Sequence, residues 1–83
     1  MAANPNQTNL FTAWDILPVT PSDTVDLAVN ARALRAAVAG TIRITTLSGA
    51  VRDTRIGEDV PLTVGAIRVH ATGTTATGIE ALI

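Results

Sequence analysis

The chain of 83 residues has no cysteine, no lysine and no tyrosine, and its aromatic content is one Phe and one Trp. Each absence closes a class of function. Without cysteine there are no disulfides and no thiolate metal sites, and the redox compartment is left open. With one histidine there is no His-pair metal site. Two aromatics make a poor stacking platform for single-stranded nucleic acid. A net charge of −1 leaves no electrostatic footprint for DNA, RNA or an anionic membrane. No run approaches the roughly 20 apolar residues of a membrane span. The first fifteen residues carry neither a basic residue nor an apolar core, so a secretory signal is not expected.

What is present is small and apolar. Hydrophobic residues make up 47% of the chain, mostly Ala, Val, Ile and Leu. A domain this short buries only about 60% of its unfolded surface and is marginal alone. With no disulfide or metal staple, oligomerisation is the remaining source of stability. All six basic residues are arginine: Arg32, Arg35, Arg43, Arg52, Arg55 and Arg68. Their forked guanidinium groups suit carboxylate pairs and interfaces, although an arginine-biased genome would leave the same mark.

Residues 1–17 read as an N-terminal arm. Asn4-Pro-Asn-Gln-Thr-Asn9 is polar and turn-rich. Leu10, Phe11, Trp14 and Leu17 follow with a helical i, i+1, i+4, i+7 spacing that fits a short helix or an extended anchor. The arm either covers the domain's own core or inserts into a partner, where Trp and Phe are favoured anchors. Leu10, Phe11 and Trp14 are the candidate partner-binding residues.

Residues 18–83 read as one β-domain. Pro18 and Pro21 bracket its entry, with Ser22-Asp23 as a turn signal. Val25, Leu27 and Val29 alternate with polar or small residues as in a strand. In residues 31–40, Asn30 could cap a helix that Gly40 ends, but Leu34, Ala36 and Val38 also fit period two, and a strand is the reading adopted. Residues 41–47 form the clearest strand; Ser48-Gly49 turns the chain, and residues 51–56 return as a hairpin partner. Gly57-Glu-Asp-Val-Pro61 is a further turn, and the apolar phase changes across Gly65, which suggests a bulge or bend. Arg68–Ala71 and Ile79–Ile83 flank a loop of Gly, Thr and Ala, which reads as a β-hairpin whose second strand runs to the last residue. The sum is six or seven short strands at a spacing of about 8 to 12 residues: an all-β antiparallel sandwich or barrel.

Catalytic groups are scarce. His70 shares a strand face with Arg68 that should be exposed or at a contact. Ser22 and Ser48 lie in turns with no base nearby and no nucleophile elbow. Asp53, Glu58 and Asp59 could meet at a hairpin tip, but without EF-hand spacing they read as a solvated acidic loop, paired with Arg52 or Arg55. Gly73-Thr-Thr-Ala-Thr-Gly78 lacks the lysine and the following helix of a phosphate loop. No enzyme, cofactor or metal is expected.

Val19-Thr-Pro-Ser-Asp-Thr-Val-Asp-Leu27, Ala31-Arg-Ala-Leu34, Val38-Ala-Gly40 and Ala71-Thr-Gly-Thr-Thr-Ala-Thr-Gly-Ile79 together resemble the spike-base proteins of phage-like gene transfer agents and related tailed phages. The resemblance spans residues 18–83, and Thr72-Gly-Thr-Thr-Ala-Thr-Gly78 is its most specific part. It implies a β-domain that assembles as a ring, naturally a pentamer, on the outside of capsid vertices. It further implies capsid protein and a spike fibre as partners, and assembly in the bacterial cytoplasm before incorporation into the particle. A glycan- or surface-binding β-module is the alternative from another class. The position of both aromatics in the arm, rather than on a sheet face, argues against it.

Overall fold

The computed structural model describes residues 13–83. Six strands follow in order: β1 (Ile16–Pro18), β2 (Ala33–Val38), β3 (Gly40–Thr46), β4 (Val51–Ile56), β5 (Ala66–Val69) and β6 (Thr77–Leu82). They form two three-stranded antiparallel sheets, one in the order β1-β6-β2 and the other β4-β3-β5. The all-β reading therefore holds, and residues 31–40 resolve to strand rather than helix. Leu34 and Ala36 are completely buried there, so packing of alternate residues overrides the helix propensity of the alanines.

Both sheets contribute to one core. Leu34, Ala36, Ile79 and Ala81 come from the first, and Ile42, Ile44, Ile56 and Val69 from the second. Five of the eleven core residues are alanine. A buried leucine or isoleucine contributes roughly 1.5–3 kcal/mol by area transfer and an alanine much less, so the core is thin for its residue count.

Two connecting segments join the sheets, one on each flank. After β1, the Val19 amide donates to Ile79 of β6 and the Ser22 amide to Val69 of β5. This places β1 and β5 on one flank. After β4, the Asp59 amide donates to Ala36, and Leu34 and Leu62 exchange backbone bonds. This places β2 and β4 on the other flank. Asp59 takes a positive φ of 56° in that return, which Asp tolerates better than most residues.

Three expectations change. Val25–Val29 is not a regular strand: the segment runs along the outer edge of β5 through isolated bonds, Leu27 N to Ile67 O and Ala31 N to Ala66 O. Only Leu27 of its alternating residues packs on the core, while Val25 and Val29 are exposed. The break in apolar phase appears not at Gly65 itself but just beyond it, where the β3–β5 register slips between Thr45 and Thr46, opposite Ala66–Arg68. The C-terminal strands are not a hairpin. β5 pairs with β3 and β6 with β1 and β2, so the loop between them crosses from one sheet to the other. A Gly/Thr loop between two alternating runs permits either connection; the core demanded a strand in each sheet.

Candidate assembly surfaces

The crossing loop has a structural task. β5 pairs with only the C-terminal half of β3, at Ile44, Thr45 and Thr46, and would leave the edge at Thr41 and Arg43 bare. Residues 70–76 fill it. The His70 amide donates to the Arg43 carbonyl at 2.8 Å, and the Thr75 and Ala76 amides donate to the Thr41 carbonyl at 2.9 and 3.1 Å. In return, the Arg43 amide donates to Thr74 Oγ1 at 3.0 Å and the Thr41 amide to Thr75 Oγ1 at 2.9 Å. Threonine hydroxyls thus stand where a neighbouring strand's carbonyls would, and the obligatory backbone groups of β3 are satisfied. Gly73, at φ +89°, lies against the Arg43 guanidinium, and a Cβ there would come within 2.9 Å of Arg43 Cζ.

The outer face of the β4-β3-β5 sheet is a polar lattice. Arg43 grips Asp53 with a bidentate fork, Nε–Oδ1 at 2.7 Å and Nη2–Oδ2 at 3.2 Å. Those hydrogen bonds hold the Asp53 carboxyl below its ordinary range and push the Arg43 guanidinium up. Arg68 reaches Asp26 at 2.8 Å and the Asp23 carbonyl at 3.0 Å. The Asp23 carboxylate accepts from the Thr72 hydroxyl at 2.6 Å and the Thr72 amide at 2.9 Å, and these bonds lower its pKa. His70 Nε2 lies 2.8 Å from Thr45 Oγ1, and Nδ1 lies 4.0 Å from Asp23 Oδ1. The histidine is thus partly buried by contacts within the chain; of the two expectations, an exposed face or a contact, the structure shows an intramolecular contact. Asp53, Glu58 and Asp59 do not converge: Asp53 turns to Arg43, and Asp59 joins the return along β2. No group of three His, Cys, Asp or Glu side chains placed to hold a metal exists among the described residues.

The outer face of the β1-β6-β2 sheet is different. Register places Ile16 beside Leu82, and Pro18 beside Glu80 and Arg35. Arg35 Nη2 meets Glu80 Oε1 at 2.7 Å, the one ion pair seen on this face among the described residues. An open groove of about 530 Å³ lies along the Pro18–Pro21 end, lined in part by Pro18, Val19, Pro21, Ala37, Thr77 and Gly78. Its volume is in the range of a ligand site, but its one ionisable lining residue, Glu80, is held by Arg35. Gly78 is required there, because at φ +65° its Cβ would stand 2.6 Å from that of Ala37.

Trp14 stands at the other end of this face. Its backbone amide donates to the Ile83 carbonyl, yet its side chain is 88% exposed. The indole is pinned at its base and presented to solvent. Of the three arm residues singled out from sequence, Trp14 alone falls in the described chain; Leu10 and Phe11 lie outside the described residues. Sequence reasoning missed the small-residue face around Ala37 and Gly78, for which the i, i+2 spacing of Ala33, Arg35 and Ala37 on β2 was the available signal.

No protein-family model and no curated protein matched the sequence. A solved chain did: one from the capsid of a native gene transfer agent (GTA) particle computed with C5 symmetry, 37% identical, with a TM-score of 0.77 over 86% of this chain and 83% of that one. An identity this high across so much of both chains is a family relation and not only a shared sandwich. The polar lattice, the apolar face and the absence of a gathered catalytic set among the described residues thus sit in a chain that belongs to the family of that GTA capsid-particle protein, structural proteins of phage-like particles.

Proposed function

We propose that the chain is the base of a head spike: a subunit that forms a ring on the outside of a capsid vertex and holds a spike fibre. The 37% identity to a chain from the capsid of a GTA particle, computed with C5 symmetry, carries this reading. A ring on a fivefold capsid vertex takes five copies, so a pentamer is the stoichiometry expected here, and a closed ring is the usual outcome of head-to-tail contacts. The thin alanine-rich core and the apolar outer face of the β1-β6-β2 sheet support it, since both leave stability to be gained from partners.

In this reading Leu10, Phe11 and Trp14 anchor the arm to the adjacent subunit or to capsid protein. Light scattering on the purified protein should give five times the monomer mass, or should do so once capsid protein is added. A monomer under both conditions would sink the ring. Trp14→Ala should lower occupancy on particles, counted by cryo-electron microscopy, while the thermal transition of the isolated domain stays in place; undiminished occupancy would remove Trp14 from the anchor set.

A further inference from the structure

The fold disposes of its strand edges one by one. Open edges invite other strands, and proteins block them with proline, charge or covering chain. On β1, the outward residues are Ile16 and Pro18. The Ile16 amide is taken by Asp15 Oδ1 at 2.8 Å, and Pro18 has no amide to offer. On β2, Leu62 and Asp59 occupy the outer edge through Leu34 and Ala36. The free half of β3 is filled by residues 70–76, and β5 is lined by Ser22, Leu27 and Ala31.

β4 is left. The loop bonds of Thr41 and Arg43 point away from β4, so β3 addresses β4 through Ile42 and Ile44, which face Thr54 and Arg52. The amides and carbonyls of Val51, Asp53 and Arg55 therefore point outward. Among the described residues no backbone group pairs with them; the Val51 carbonyl accepts only from the Arg52 side chain at 3.2 Å, and residues 51–55 are all exposed. The strand carries no proline, glycine or bulge, and its three charges, Arg52, Asp53 and Arg55, are of mixed sign, with Asp53 held by Arg43.

We propose that this edge accepts, as an added strand, the first twelve residues of the N-terminal arm of the neighbouring copy. The proposal rests on the ring reading above and names its contact. The arm leaves the domain at β1, on one flank, whereas the open edge of β4 is on the other. A donor on one side and an acceptor on the opposite side make a head-to-tail contact, the kind that closes into a ring. Twelve residues extend to about 40 Å at roughly 3.3 Å each, close to the longest dimension of the domain, 44 Å, and well over its 25 Å breadth. The arm has reach for the next subunit. It also carries no charged side chain, so pairing buries no unmatched charge against Arg52, Asp53 and Arg55. Backbone bonds would supply affinity, and Leu10 and Phe11, on alternate faces of an added strand, its register.

The test uses three proteins and one peptide. The variants are a chain lacking residues 1–12, the full chain with Arg55→Pro, and the two changes combined. Arg55→Pro removes an outward amide and leaves the β3–β4 ladder, and an unchanged circular-dichroism melt verifies that the strand survives. Where it does not, Arg55→N-methyl-alanine made by chemical synthesis deletes the same hydrogen. A synthetic peptide of residues 1–14 should bind the truncated chain in a titration followed by fluorescence of the peptide's Trp14, with the truncated chain's own indole replaced by Trp14→Phe. Affinity should drop about tenfold for the truncated Arg55→Pro chain, that is by about 1.4 kcal/mol, within the range of one backbone bond. Amide exchange of Val51, Asp53 and Arg55 should slow when the peptide binds. No binding, or equal binding to both chains, overturns the proposal. So does a ring mass unchanged in both the truncated and the Arg55→Pro proteins, and that result leaves the spike-base reading standing; loss of the ring in every form, wild type included, strikes at the reading itself.

Discussion

The two sheets share a core and turn opposite characters outward. The outer face of β4-β3-β5 completes itself: Arg43 with Asp53, Arg68 with Asp26, Thr72 with Asp23 and His70 with Thr45 leave few polar groups in search of a partner. Among the described residues the outer face of β1-β6-β2 shows one ion pair, Arg35–Glu80, among small apolar residues, and an exposed tryptophan stands at its end. In a monomer the second arrangement has no local advantage, because exposed apolar area is area left in water. In a particle the same face would gain from contact with another protein.

The largest effect should come from charging the apolar face. Ala37 is exposed on β2 at the groove's edge, so Ala37→Glu adds a carboxylate without touching the core. Stability should stay within about 0.5 kcal/mol, while occupancy on assembled particles falls close to nothing. A fully occupied particle would show that the face is not a contact and would dissolve the distinction between the sheets.

The polar face should respond in the reverse sense, losing stability and keeping assembly. Gly73→Ala should destabilise the domain by about 1–2 kcal/mol from its left-handed backbone alone, and more if Arg43 is displaced from Asp53. Thr75→Val is a milder cut. It leaves the Thr41 amide without its hydroxyl acceptor and should cost about 1 kcal/mol, read from chemical denaturation. If either variant abolished ring formation in a folded protein, the polar face would belong to the interface as well.

The sequence exposed the strands more readily than their partners. Alternation at Ile42 and Ile44, or at Ile79 and Ala81, is a local signal, and it located β3 and β6 directly. It gives no information on which sheet a strand joins. Residues 72–77 looked like a hairpin loop because Gly and Thr suit any tight reversal, whereas their hydroxyls are committed to the edge of β3, more than thirty residues away in the chain. Val25–Val29 alternated like a strand and is held instead as an irregular cover for β5. The spacing of the arm residues and the interface preference of large aromatics singled out Trp14, whose indole is exposed in the structure, whereas nothing pointed to the groove beside Ala37, because it is an absence of side chains where two strands meet.

Acid should separate the faces most gently. The carboxyls of Asp23 and Asp53 both have pKa values lowered in the folded protein, by bonds from Thr72 and Arg43 respectively. The unfolded chain therefore binds protons more readily. The stability these groups supply is complete above the ordinary carboxylate pKa of about 3.9, and it is lost as pH falls through their lower folded values. Melting temperature should hold steady from neutral pH to about 5 and then decline below about 4. Asp53→Asn should lower the plateau slightly and flatten that decline, since the surface pair is exposed and each such pair contributes little. Asp26→Asn on the same face serves as the comparison that removes an ion pair to Arg68. Ala37→Glu lies on the opposite face and touches neither pair, so it should follow the wild-type curve above pH 5. An acid decline unchanged by Asp53→Asn and by Asp23→Asn alike would mean that the polar lattice does not hold the fold, and that the division of labour between the two faces rests on the apolar side alone.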